Sequence, residues 1–157
     1  MGSNKSKNKG SAFERDVVKI LNDLINNSNW KRIPGSGAIG TILGESQLTG
    51  DVVGKIDNFP VPFKGECKVG YNSSTNREVK QFTLKKEWLD KVWNESEANY
   101  SMPVLFGKFD NARSGTKIFV VMDIDIFADI INKYTNLQKG IEKENEDSIL
   151  VLDKIEH

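Results

Sequence analysis

Four residues in the 157-residue chain have types and spacing that can do chemistry together: Glu14, Asp51, Glu66 and Lys68. Glu66 and Lys68 are two apart in the run Phe63-Lys64-Gly65-Glu66-Cys67-Lys68-Val69. In a strand that spacing puts both on one face and Cys67 on the other. Asp51 begins the preceding strand of a hairpin, so antiparallel pairing can bring its carboxylate near Glu66. Glu14 lies in the first turn of a helix, at the edge of its apolar stripe, from where it can point along the sheet surface. Three carboxylates beside an ammonium suit a hard cation held by oxygen. Mg²⁺ takes a few carboxylates, waters and phosphate oxygens, and a neighbouring lysine can orient or deprotonate the attacking water or neutralise phosphate charge.

Each residue also has a plainer reading. Ser11-Ala12-Phe13-Glu14 has the pattern of a capping box, with Ser11 at the N-cap and Glu14 three residues on. Asp51 after Gly50 is a turn residue type. Glu66 and Lys68 read as a solvated same-face ion pair worth about 0–1 kcal/mol. Cys67 reads as a small buried hydrophobe, because no histidine is placed to activate it. The ordered set argues for chemistry: helix Glu, glycine-rich loop, strand Asp, hairpin, then Glu-x-Lys on a strand.

The elements that must position these residues follow from periodicity and turn signals. Residues 1–10 are polar and basic and read as a flexible arm. A helix is predicted from Ser11 to Asn26, with Phe13, Val17, Leu21 and Leu24 at helical spacing. A short strand, Trp30–Pro34, leads into a loop with five glycines between Gly35 and Gly50. Strands are predicted at Asp51–Lys55 and Val61–Val69, followed by an exposed polar loop over 70–80. A second helix spans Thr83–Asn99, with Leu84, Trp88, Leu89 and Val92 on one face; Trp88 and Trp93 read as core and interface residues. Two more strands, Pro103–Phe109 and Lys117–Met122, are separated by a turn at Asn111–Gly115. Asp123 caps a third helix through Tyr134, with Ile124, Phe127, Ile130 and Ile131 buried. Glu142–Asp147 reads as an exposed acidic segment and Ile149–Leu152 as a last short strand. The order α-β-β-β-α-β-β-α implies an α/β fold, a mixed central sheet with helices on both faces. Residues 11–157 read as a single domain.

Composition narrows the classes. There are 22 Lys+Arg and 22 Asp+Glu, for a formal net charge of zero. The zero is a cancellation: residues 1–91 carry 15 basic against 10 acidic side chains, and residues 92–157 carry 7 against 12. A basic first half is compatible with a phosphate-rich ligand. No apolar run reaches the length of a membrane span, and nothing at the N-terminus resembles a signal peptide. A single Cys with no internal partner points to an intracellular, cytoplasmic setting. The one histidine, His157, is terminal, which sets aside a Cys/His zinc site. Gly35-x-Gly37-x-x-Gly40 fits a dinucleotide fingerprint only literally, because Thr41-Ile42-Leu43-Gly44 returns to glycine and opens no helix.

The ordered set resembles the PD-(D/E)-x-K nuclease superfamily and, within it, the archaeal-type Holliday junction resolvases. Lys9-Gly10-Ser11-Ala12-Phe13-Glu14-Arg15 is similar to that family's K-G-x-x-x-E-R helix start. Lys31 to Gly37 is similar to its R-x-x-G-S segment, Gly50-Asp51-Val52-Val53 to its P-D-hydrophobic segment, Glu66-Cys67-Lys68 to its E-x-K, and Met102 to Phe109 to the strand after its second helix. The resemblance spans roughly residues 9–122 and implies a restriction-endonuclease-like fold. It implies Mg²⁺-dependent cleavage of branched DNA by a homodimer, with Mn²⁺ a substitute and 5′-phosphate products. Carried over by position, Glu14, Asp51, Glu66 and the Cys67 carbonyl would be metal ligands, and Lys68 would assist the water. Arg15, Arg32 and Ser36 would contact phosphates, and Lys5, Lys7 and Lys9 would clamp a DNA arm. Two departures stand out: Thr49-Gly50 replaces the proline before Asp51, and the Gly35–Gly50 loop is long. Two other readings stay open, a restriction or repair nuclease on the same core and a non-catalytic DNA-binding protein with a relic site.

Overall fold

A computed structural model describes residues 3–33, 51–70 and 77–155, with side chains described for 9–33, 51–70 and 77–144. The chain divides into two compact units, Met1–Met122 and Asp123–His157. Every described residue singled out for chemistry falls in the first.

The first unit contains α1 (Ser3–Leu24), β1 (Ser28–Arg32), β2 (Val52–Ile56), β3 (Phe63–Gly70), α2 (Lys86–Glu97), β4 (Met102–Phe109) and β5 (Ile118–Val121). Among the described residues the strands form one sheet in the order β1-β2-β3-β4-β5. Pairing is antiparallel for β1–β2, β2–β3 and β4–β5 and parallel for β3–β4. The parallel pair requires a crossover, and α2 supplies it. The expected α/β architecture is the observed one: a mixed sheet with a helix on each face.

The two faces follow from strand alternation. Phe63, Gly65 and Cys67 share one face of β3 with Phe106, the partner of Cys67. Trp30 packs its ring against Phe63 and Phe106 there. It lies on Gly54, where any Cβ would come within 2.2 Å of the ring. Helix α1 covers this face, burying Phe13 and Val17, and Asn22 accepts the Trp30 N–H and donates to its carbonyl. Lys64, Glu66 and Lys68 point to the opposite face, which α2 covers through Lys91 and Trp88.

Several expectations are corrected. Helix α1 begins at Ser3, so the segment read as a flexible arm is helical from there on. Ser11 and Glu14 therefore lie inside the helix, and the capping box does not form. Residues 77–80 belong to no helix or strand, but Val79 is buried and its N–H donates to the Asp110 carbonyl; the polar composition around it hid one apolar anchor. The Gly35–Gly50 loop and residues 71–76 lie outside the described residues.

The second unit is α3 (Ile124–Ile155), a single 32-residue helix. It runs past the expected end at Tyr134, through the acidic segment, and replaces the expected last strand at Ile149–Leu152. Asp123 accepts the Asp125 N–H at its start, as the capping prediction required. No proline interrupts residues 124–155, and pairs four apart, Asp129–Lys133 and Tyr134–Gln138, support its N-terminal half. Ile124, Phe127 and Ile131 are exposed instead of buried. Among the described residues no helix is long and apolar enough to cross a membrane.

Candidate active site

Strands β2 and β3 pair only over Val52–Gly54 against Phe63–Gly65, while β3 continues alongside β4 to Gly70. The two strands part at Asp51, whose N–H donates to the Gly65 carbonyl at 2.9 Å. Beyond that bond, the edge of β3 that faced β2 is open among the described residues. The Asp51 carboxylate turns into this opening and accepts the Cys67 N–H at 2.7 Å. The N–H and C=O of one strand residue project to the same edge. The Cys67 carbonyl therefore also faces the opening.

Glu66 stands on the α2 face with its side chain only 4% exposed. Both of its oxygens are taken by ammonium groups: Lys68 at 2.5 Å from Oε1 and Lys91 of α2 at 3.1 Å from Oε2. Lys68 also lies over the Trp88 ring, 5.3 Å from its centroid. Trp88 thus has a partly buried body and a cation on its face.

Glu14 reaches the neighbourhood from α1, on the other side of the sheet. Arg32 on β1 donates through Nε to Glu14 and through Nη2 to the Ser11 hydroxyl at 2.9 Å. Glu14 is thereby held by a fixed cation.

Among the described residues Asp51 has no ion-pair partner, and its environment shows the consequence. Burial and then the Glu66 charge raise its carboxyl to about 6; the Cys67 N–H and Lys68 lower it, and Glu14 raises it further. Four of the expected residues, Glu14, Asp51, Glu66 and Lys68, therefore act on one another electrostatically. They do not form a ready cage: no group of three His, Cys, Asp or Glu among the described residues is set to hold an ion. The Cys67 thiol is pushed well up by burial and by the Asp51, Glu14 and Glu66 charges. It is protonated and buried, in line with its reading as a small hydrophobe.

The donor set fits a hard divalent cation. It offers carboxylate and carbonyl oxygens, the one sulfur is held as a thiol, and Asp51 carries a buried charge that a cation would relieve.

Of the residues expected at DNA, Arg15 is exposed, Arg32 is engaged with Glu14, and Lys9 Nζ lies 2.8 Å from Asp110. Ser36 lies outside the described residues. Three charged residues escaped the sequence reading. Lys64 precedes Glu66 by two residues on the same face and is 2% exposed. Lys91 and Glu95 follow Trp88 by three and seven residues, on the helix face that meets the sheet. The period-2 pattern Lys64-x-Glu66-x-Lys68 and two charges on an otherwise sheet-facing stripe were the available signals. Burial lowers the pKa of Lys64, partly offset by Glu95. Lys91 is raised on balance: burial opposes its charge, but Glu66 and Glu95 outweigh it.

Comparison with known proteins gives three results. Residues 5–156 match a family described as "Phage putative PDDEXK endonuclease". No curated protein matches. Among solved structures the chain is similar to Hjc, a Holliday junction resolvase from the archaeal hyperthermophile Archaeoglobus fulgidus. That similarity has 16% identity and a TM-score of 0.44, covering 76% of this chain and 88% of that one.

Proposed function

The chain belongs to the phage PDDEXK endonuclease family, and from that membership we propose that it is a Mg²⁺-dependent, structure-selective endonuclease. It resolves four-way DNA junctions by phosphodiester hydrolysis, as a homodimer, leaving 5′-phosphate ends. The observation that carries the reading is the meeting of Asp51, Glu66 and Lys68 where β2 and β3 part.

Asp51, Glu66, Glu14 and the Cys67 carbonyl would hold Mg²⁺, with Mn²⁺ a substitute. When bound, the ion supplies Lewis-acid polarisation of the scissile phosphate and lowers the pKa of a bound water. Lys68, braced by Glu66 and the Trp88 ring, orients the attacking water and counters the charge that builds on the phosphate. Asp51 is held in direction by the Cys67 N–H, so little reorganisation is needed as charge develops. Lys9, Arg15, Arg32 and Ser36 contact DNA phosphates. Nicking symmetric strands of a four-way junction takes two active sites, which a two-fold dimer supplies. The ordered motifs from Lys9 to Phe109 support the junction as substrate.

The test is cleavage of four-way, linear, flap and single-stranded DNA side by side, with Mg²⁺ and with EDTA. The expected result is junction cleavage with Mg²⁺ alone. Preference for linear duplex would transfer the protein to the restriction type, and junction binding without cleavage in Mg²⁺ would support a relic site.

A further inference from the structure

Lys91 belongs to none of the motifs that suggested a nuclease, yet its Nζ sits 3.1 Å from Glu66 Oε2. Glu66 therefore carries two ammonium groups, one on each oxygen, inside a pocket where its side chain is 4% exposed. The two lysines differ. Lys68 lies on the same strand as Glu66 and is pinned against Trp88. Lys91 comes from α2, its side chain is 48% exposed, and it has a second carboxylate within reach: Glu95 Oε1 lies 3.8 Å away, one turn along the helix. Among the described residues Glu95 Oε2 is buried without a hydrogen-bond partner. A buried acceptor of this kind is costly to leave unpaired and would welcome an ammonium shifted toward it.

We propose that Lys91 is a positioning residue, a built-in counter-cation that holds the Glu66 carboxylate while no divalent ion is bound and moves toward Glu95 when one binds. The inference rests on the nuclease reading above. It follows from charge and geometry. An incoming divalent cation at Asp51 and Glu66 meets two positive charges already on Glu66. Among the described residues only Lys91 has a further carboxylate within reach, and it is the more exposed of the two, 48% against 28%. Lys91 thus keeps a buried acid satisfied whenever no divalent ion is bound and sets the affinity with which the site takes its ion.

The experiment is titration of Mn²⁺ into the DNA-free protein, followed by calorimetry, for wild type, Lys91→Met, Lys91→Arg and Glu95→Gln. Lys91→Met removes a unit charge a few ångströms from the ion and should tighten Mn²⁺ binding about fivefold or more. Lys91→Arg should restore the wild-type affinity. Glu95→Gln removes the alternative partner and should weaken binding severalfold; it also serves if Lys91→Met fails to fold. An affinity that is unchanged or weaker in Lys91→Met, or unchanged in Glu95→Gln, overturns the proposal. If wild type cleaves junctions with Mg²⁺ while these affinities do not move, this inference alone falls. If none of the proteins takes Mn²⁺ and none cleaves, the metal-dependent reading falls with it.

Discussion

The Asp51 carboxylate accepts the Cys67 N–H at 2.7 Å across the point where β2 and β3 separate. That bond replaces the ladder bond the strands would otherwise make, and it draws an acid into the sheet. Asp51 meets there a buried setting and the Glu66 charge, and its carboxyl rises to about 6.

An acid raised on folding binds more protons folded than unfolded. The metal-free protein should therefore lose stability as pH climbs from the ordinary 3.8 to about 6, and the loss should persist above that range. Partial solvent access limits the effect to about 1–2 kcal/mol. Melting temperatures in EDTA from pH 4 to 8 test this. Asp51→Asn, whose amide oxygen can still accept the Cys67 N–H, should gain on wild type across the window. A difference between the two that does not change with pH would contradict the raised Asp51.

The same proton competes with a metal ion. Below about pH 6, Mn²⁺ affinity should fall by up to about tenfold per pH unit, and binding should release protons. Calorimetry in two buffers of different ionisation enthalpy measures both. Affinity that is flat between pH 5 and 6 would remove Asp51 from the ligands.

Asp51→Asn and Glu66→Gln should each reduce junction cleavage by at least about a hundredfold. Junction binding in a mobility-shift assay should remain within a few fold of wild type. Retained cleavage in either variant would take that residue out of the site.

Arg32 ties Glu14 to β1 and also reaches Ser11. Replacing it with Ala leaves a carboxylate only 15% exposed without its cation, which should cost about 1–3 kcal/mol. Arg32→Lys keeps the charge but loses the two-point contact, so it should recover only part. Denaturant unfolding of the Glu14→Gln and Arg32→Ala cycle checks this, and a coupling below about 0.5 kcal/mol would make the pair incidental.

Gly54 lies directly beneath Trp30, and a Cβ there would stand 2.2 Å from the ring. In an open strand Gly→Ala is mildly favourable; here it should destabilise by about 1–3 kcal/mol. Chemical denaturation gives the sign, and a stabilised variant would mean the ring is not held on the glycine.

Much of this was legible in the residues alone. The element order follows from periodicity, because helix and strand faces repeat at 3.6 and 2 residues whatever they later pack against. Glu66 and Lys68 on one face, with Cys67 on the other, needed nothing beyond strand geometry. Asp51 beside Glu66 required only that the two strands be a hairpin. The helix starts and ends were less legible. Ser11-x-x-Glu14 has the local chemistry of a cap, but Ser3–Leu24 forms one helix through it. Arg32, a residue 18 positions from Glu14, claims the carboxylate. Residues 142–152 pass from a mainly acidic stretch to the aliphatic run Ile149–Leu152, yet continue one helix with no proline to break it.

By itself, then, the sequence determined which residues could share a face, because alternation within a strand is local backbone geometry. Only the tertiary structure decided which charges neutralise which. Lys91 meets Glu66 from 25 positions away, Arg32 meets Glu14 across the sheet, and Asp51 is left with a backbone N–H and a raised pKa. The physical reason is range: periodicity acts over a few residues, whereas ion pairing depends on distances that exist only after the helices have closed over both faces of the sheet.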